Sequence, residues 1–97
     1  FGPLVPILTF KTFDEVIERA NDNDLGLCSY LYTNSMDKAH IGSEKLESGC
    51  VAVNTGVVAI AEAPFGGIKQ TGYGREGGSG AIKDYLNVKY THMGLKI

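Results

Sequence analysis

Ala63-Pro64-Phe65-Gly66-Gly67-Ile68-Lys69-Gln70-Thr71-Gly72-Tyr73-Gly74-Arg75-Glu76-Gly77 is the stretch on which the reading of this chain turns. Glycines at this density weaken helix and strand alike, because each gives up more backbone freedom on ordering than any other residue. A flexible linker would be rich in Ser and Gly alone, whereas this stretch carries Phe65, Ile68 and Tyr73. An aromatic and fixed charges on a permissive backbone point to a loop that lines a site. The whole of Asn54 to Gly78 reads as loop, and a loop this long in a small domain is functional more often than filler.

Working outward, the rest of the chain alternates strand and helix. Leu4 to Phe10 reads as a short apolar strand, with Pro6 tolerable only at an edge or a bulge. Thr12-Phe13-Asp14-Glu15 fits a capping box, the Thr12 hydroxyl accepting from the Glu15 amide and the Glu15 carboxylate reaching back. Phe13, Val16, Ile17 and Ala20 then follow at helical spacing, and the polar run Asn21 to Asp24 ends that helix before a turn at Gly26. Leu27 to Tyr32 is a second strand. Asn34 or Ser35 caps a second helix running to about Ser48, thin in apolar residues (Met36, Ala39, Leu46), interrupted by Gly42 and closed by Gly49. Cys50 to Val53 is apolar throughout, as in a strand covered on both faces. This order predicts an α/β fold, a βαβαβ unit with parallel pairing and right-handed crossovers. Beyond the long loop, Ser79 to Leu86 reads as a helix with Ile82, Tyr85 and Leu86 on one side. Val88 to Met93 alternates as an edge or intersubunit strand does.

Composition narrows the function classes. The 97 residues allow one small domain, and an apolar fraction of 43 % is ordinary for a globular protein. Net charge is -2 with the signs mixed and no basic run, which argues against a nucleic-acid surface. No apolar stretch is long enough to span a bilayer and no signal peptide opens the chain, so a cytoplasmic location is expected, or the mitochondrial matrix in a eukaryote. Cys28 and Cys50 sit in apolar segments without CxxC spacing and read as free thiols. His92 has no second ligand near it in sequence, and no cluster of Cys, His and carboxylates has metal-ligand spacing. The chain begins Phe1-Gly2-Pro3 without an initiator Met, as a piece of something longer would.

Gly72-Tyr73-Gly74-Arg75-Glu76-Gly77 matches Gly-x-Gly-x-x-Gly by letter. A dinucleotide loop needs a hydrophobic strand before it and an acidic residue about 20 positions on, and both are missing from the sequence. The match is read as coincidence.

The glycine stretch resembles the C-terminal signature of the aldehyde dehydrogenase superfamily, Pro-Phe-Gly-Gly-x-Lys-x-Ser-Gly-x-Gly-Arg-Glu, with Thr71 at the usual Ser. Phe1-Gly2-Pro3 resembles the end of the family's Glu-x-Phe-Gly-Pro motif. Asn21 to Leu27 resembles its Ala-Asn-x-x-x-Tyr-Gly-Leu turn with Leu25 at the Tyr, and Gly49 to Asn54 its Gly-x-Val-x-Val-Asn strand. The resemblance implies the later βαβαβ half of the catalytic domain over residues 1–86, with an anchor loop at 54–78, then an oligomerisation strand and tail over 87–97. It implies NAD or NADP as cofactor, Phe1 against the nicotinamide, and Phe65 as the aromatic wall of the aldehyde pocket. Val57, Val58 and Ala59 correspond to the variable wall of the substrate tunnel. Asn54, Gly66, Gly67, Lys69 and Arg75 would hold the loop. Glu76 would lie on a proton path, or else pair with Arg75 or Lys69.

The family's nucleophilic Cys and general-base Glu lie upstream of Phe-Gly-Pro, so no residue here is expected to be catalytic. Partners implied are an aldehyde, the remainder of the enzyme chain and further copies in a dimer or tetramer. Val53-Asn54-Thr55-Gly56 and Asp84-Tyr85-Leu86-Asn87-Val88-Lys89-Tyr90 are most similar to succinate-semialdehyde dehydrogenases. Ala59 departs from that group, which commonly has a Ser there for the substrate's distal carboxylate. The reading of another class is a self-standing, non-catalytic α/β assembly module carrying the same tail sequence.

Overall fold

The Thr12 hydroxyl accepts the Glu15 amide at 3.2 Å and so starts α1, Phe13–Asn21, in a computed structural model that describes residues 2–96. The Glu15 carboxylate reaches back as expected, as far as the residue before the cap. It takes the Lys11 amide at 2.9 Å and the Arg19 guanidinium at 3.2 Å, and the Thr12 amide also favours its charged form. One carboxylate thereby ties the residue before the cap to the last turn, and Arg19 goes on to donate to the Thr9 carbonyl at 2.8 Å. Ile17 is the buried residue of the apolar stripe.

After α1 come β1 (Leu25–Gly26), β2 (Cys28–Leu31), α2 (Met36–Lys45), β3 (Cys50–Val53), β4 (Ile68–Lys69) and a 3-10 helix, Ala81–Tyr85. β2 and β3 pair in parallel, Cys28 opposite Cys50 and Leu31 opposite Val53, with α2 as the crossover between them. Ser35 caps α2 by accepting the Lys38 amide at 3.3 Å. Gly42 does not interrupt this helix. It is the buried residue of α2, and a Cβ there would lie 2.5 Å from Leu31 Cδ2 and 3.4 Å from the Phe13 ring. The glycine is where α2 comes down onto β2 and α1. Its lack of a side chain, read in sequence as a weakness, is what the packing uses.

The expected five-element unit is shorter by one strand. Leu4 to Phe10 is extended but pairs with nothing, and Leu4 and Ile7 are each 87 % exposed. Val88 to Met93 is likewise extended and unpaired. Both have strand-forming residues, but a strand exists only where a neighbour takes its N–H and C=O groups. Within the described residues no segment does. The expected helix from Ser79 to Leu86 is a 3-10 helix of five residues, a natural outcome beside Gly77, Gly78 and Gly80. Conversely, the long loop contains ordered pairing: β4 runs antiparallel to β1, and Phe65 bridges Glu76.

Ile17, on α1, and Ala52, on β3, are the buried apolar residues of the described chain. The radius of gyration is 19.4 Å, against about 13 Å for a compact chain of this length. The two extended arms account for the difference. No described helix is long and apolar enough to cross a membrane.

Candidate functional site

The glycine stretch closes on itself. Phe65 and Glu76 exchange two backbone hydrogen bonds of 2.7 Å each, so residues 65–76 form a lasso with an aromatic and a carboxylate at its neck. Arg75 Nη1 laces the interior, donating to the carbonyls of Gly67 and Gly74 at 2.8 Å each. A side chain at Gly66 would run into the Gly74 carbonyl, so the neck closes only with glycine there. Gly72 and Gly74 turn with φ of 124° and 89°, a region closed to most side chains.

Three residues of the lasso, Thr71, Gln70 and Lys69, seat it on the rest of the chain through five contacts. The Gly26 amide donates to Thr71 Oγ1 at 2.8 Å, and the Gln70 amide donates to the Asp24 carbonyl at 2.9 Å. Lys69, held in the left-handed region at φ 55°, sends its ammonium to the Asn21 and Asn23 carbonyls and to Glu47 Oε2 at 2.6 Å. Below, Gly49 packs so closely on Gly66 that a Cβ would overlap the Gly66 carbonyl. Cys50 Sγ lies 3.8 Å from that same oxygen. At the far end of β3, Asn54 (φ 56°) accepts the Thr33 amide at 2.9 Å and donates to the Thr33 carbonyl at 3.0 Å, which ties the loop's start to the end of β2.

Phe65, Tyr73, Arg75, Glu76 and Asp84 line one open hollow of about 370 Å³, with Leu27 at its floor. Phe65 is half-buried and Glu76 exposed. Among the described residues the Glu76 carboxylate has no ion pair. Its two expected partners are engaged elsewhere, Arg75 on carbonyls and Lys69 on Glu47. Val57, Val58 and Ala59 do not line this hollow. They follow the Asn54 turn on a separate stretch, where Val57 and Ala59 are exposed and Val58 half-buried. Phe1 lies outside the described residues. Sequence reasoning missed Thr71 as a tether and Asp84 as a lining residue. Thr71 carried a signal, since its position calls for a hydroxyl; Asp84 carried none.

The Gly-x-Gly-x-x-Gly letters do not make a dinucleotide loop. A two-residue strand, β4, does precede them, contrary to expectation. What is missing is the helix: Gly77 and Gly78 turn left-handed and a 3-10 helix begins only at Ala81. Phosphates would meet no helix N-terminus here. Gly72 to Gly77 therefore make no cradle of that kind for dinucleotide phosphates.

A parallel strand pair crossed over by a helix carries this lasso, with an aromatic and a carboxylate at its neck. The chain belongs to the aldehyde dehydrogenase family, whose pattern matches residues 1–91. It is 49 % identical over 94 residues to a 3-sulfolactaldehyde dehydrogenase of Pseudomonas putida, covering 97 % of this chain and 19 % of that protein. It is 46 % identical over 95 residues to the succinate-semialdehyde dehydrogenase [NADP(+)] GabD of Escherichia coli, covering 98 % of this chain and 20 % of that protein. A crystal structure of an aldehyde dehydrogenase from Brucella melitensis biovar abortus superposes with a TM-score of 0.87 at 49 % identity, over 93 % of this chain and 19 % of that one. The chain thus spans about one fifth of the length of the relatives it matches.

Proposed function

We propose that the protein containing this chain is an NAD(P)-dependent aldehyde dehydrogenase that oxidises a short aldehyde with an anionic far end, succinate semialdehyde or a similar semialdehyde, to the carboxylate. The observation that carries this reading is the lasso closed by Phe65 and Glu76, in a chain that matches the family from residue 1 to 91. In this reading residues 1–86 complete the catalytic domain, and 87–97 are an oligomerisation strand that pairs with another copy in a dimer or tetramer. The unpaired extended segment from Val88 to Met93 supports that assignment.

A bound nicotinamide cofactor would supply the hydride-accepting chemistry, and in this reading Phe1 would hold it. The residues of this chain act on the aldehyde side. Phe65 gives the substrate an apolar wall and keeps water from the carbonyl carbon until hydrolysis is due. The Glu76 carboxylate, free of any cation among the described residues, is able to take up and pass on a proton. Val57, Val58 and Ala59 form the variable wall of the tunnel once the remainder of the enzyme covers them. Asn54, Gly66, Gly67, Lys69 and Arg75 hold the backbone that carries all of these.

The two relatives named above differ in their acids: one is named for a sulfonated aldehyde, the other for a carboxylated one. Ala59 offers no hydroxyl to a distal anion, which costs roughly 1–3 kcal/mol of recognition against a Ser. The experiment is a kcat/KM series on the whole enzyme with succinate semialdehyde, glutarate semialdehyde, 3-sulfolactaldehyde and uncharged butanal, each with NAD and NADP. A preference for any anionic aldehyde over butanal supports the reading. No turnover of any of the four sinks it. A self-standing assembly module is disfavoured by the burial of just two apolar residues, Ile17 and Ala52, in the described chain.

A further inference from the structure

Cys28 and Cys50 face each other across the parallel β2–β3 ladder, directly in register. Both are free and half-buried. Their side chains leave the sheet on the face turned toward the lasso, since Cys50 Sγ lies 3.8 Å from the Gly66 carbonyl while alternate residues such as Leu31 pack on α2. No role in the proposed reaction uses either thiol.

We propose that Cys28 and Cys50 form a two-thiol binding site for a soft electrophile that closes across both sulfurs, the class represented by trivalent arsenicals. Spacing selects this ligand over a disulfide. Neighbouring strands stand about 4.8 Å apart with in-register Cβ atoms leaving side by side. A disulfide favours Cβ atoms about 3.8 Å apart, closer than this spacing, so a direct S–S bond asks the strands to close up slightly. An inserted atom spans the gap with the strands in place. Among the described residues no third His, Cys, Asp or Glu joins the pair, so a four-ligand zinc site is not available and a two-sulfur bridge is.

The protonation state fits as well. Burial pushes the Cys28 thiol up, and the neighbouring Cys50 adds to the shift, so Cys28 stays a neutral thiol near pH 7. That slows chemistry requiring a thiolate, such as alkylation and disulfide exchange. Condensation with an organoarsenic(III) oxide has no such requirement overall. Two S–H bonds break and two As–S bonds form; the oxide oxygen leaves as water with both protons. Arsenic stays trivalent and no oxidant takes part. Closure of the bridge also removes the Cys50 proton that points to the Gly66 carbonyl, next to Phe65. Occupancy of the pair is thereby felt at the neck of the lasso.

The test uses the full-length protein, phenylarsine oxide as probe, and an excess of monothiol to strip adducts held by a single cysteine. Peptide mapping of the wild-type protein is expected to find one arsenic bridging the Cys28 and Cys50 peptides, released by a dithiol such as 2,3-dimercaptopropanol. Cys28→Ala and Cys50→Ala should each lower monothiol-resistant arsenic at this site at least tenfold. Arsenic retained only on other cysteines, a Cys28–Cys50 disulfide in its place, or no retained arsenic would overturn the proposal. Mapping of the wild-type protein stands even if a variant fails to fold.

Discussion

The hydroxyl of Thr71 accepts the amide of Gly26 at 2.8 Å, joining the far side of the lasso to the strand that precedes β2. Gly26 is buried, so its N–H has no water to turn to. Thr71→Val keeps the shape and the methyl that packs on Gly67 but leaves that amide without a partner. The expected cost is about 1–3 kcal/mol of stability in the whole protein, while Thr71→Ser, which keeps the oxygen, should cost about 1 kcal/mol or less. Thermal or denaturant melts of the two variants read the difference; equal losses would mean the methyl, not the bond, matters.

Lys69 makes the second tether, with its ammonium on two carbonyls and on Glu47. Removing the lysine strands all three acceptors, whereas removing Glu47 leaves the two carbonyls still served. Lys69→Met is therefore expected to be the more harmful, by about 1–3 kcal/mol, and Glu47→Gln nearly neutral. Amide exchange of residues 66–76 would show it directly: faster exchange in Lys69→Met and no change in Glu47→Gln.

Gly42 tests the packing of the crossover helix. In an exposed helix Gly→Ala stabilises by about 1 kcal/mol. Here the new methyl would lie 2.5 Å from Leu31 Cδ2, so the balance reverses and Gly42→Ala should destabilise by about 1–3 kcal/mol. A stabilised variant would show that Leu31 gives way freely. Gly42→Ala together with Leu31→Val should recover part of the loss.

Gly42 also shows what the sequence could not disclose. Its neighbours read as a helix because Asn34 or Ser35 marks the start and Gly49 the end, and these are local signals. That the glycine is a contact point depends on Leu31 and Phe13, which no local pattern names. The same holds for the two arms. Leu4 to Phe10 and Val88 to Met93 have the alternation and branching of strands, yet strand formation needs a partner segment. At the site, Phe65, Arg75 and Glu76 were legible because glycine spacing and the family resemblance single them out. Asp84 entered the same hollow only through the fold. Val57 to Ala59 were placed by alignment alone, and the chain by itself does not bring them to Phe65.

Glu15 gives a pH prediction with a definite sign. The Lys11 amide first, with Arg19 and the Thr12 amide, holds its carboxyl below the ordinary 4.5, overcoming an opposing effect of desolvation. A carboxyl lowered by folding adds stability that is fully present above its unfolded value and is lost as pH falls through the folded one. The start of α1 should therefore loosen between about pH 5 and the lowered value. Glu15→Gln should weaken the helix start near pH 7 and flatten this dependence. Amide exchange at Phe13 to Ile17, followed from pH 7 to 3, distinguishes the two proteins; identical profiles would place the acid sensitivity elsewhere.

Phe65 and Glu76 are joined by backbone bonds alone, so their side chains can be changed without opening the lasso. That separation makes their proposed roles testable one at a time. Phe65→Leu keeps an apolar wall of lower reach and should chiefly raise KM. Phe65→Ala also admits water and should lower kcat/KM by about tenfold or more, about 1.4 kcal/mol or more of transition-state stabilisation. Glu76→Gln preserves size and hydrogen bonding but cannot carry a proton. If it lies on the proton path, kcat should fall with KM unchanged, and the loss should shrink as pH rises and hydroxide replaces the lost base. A loss in kcat that does not vary with pH would make Glu76 a positioning residue for the neck, with the proton leaving by another route.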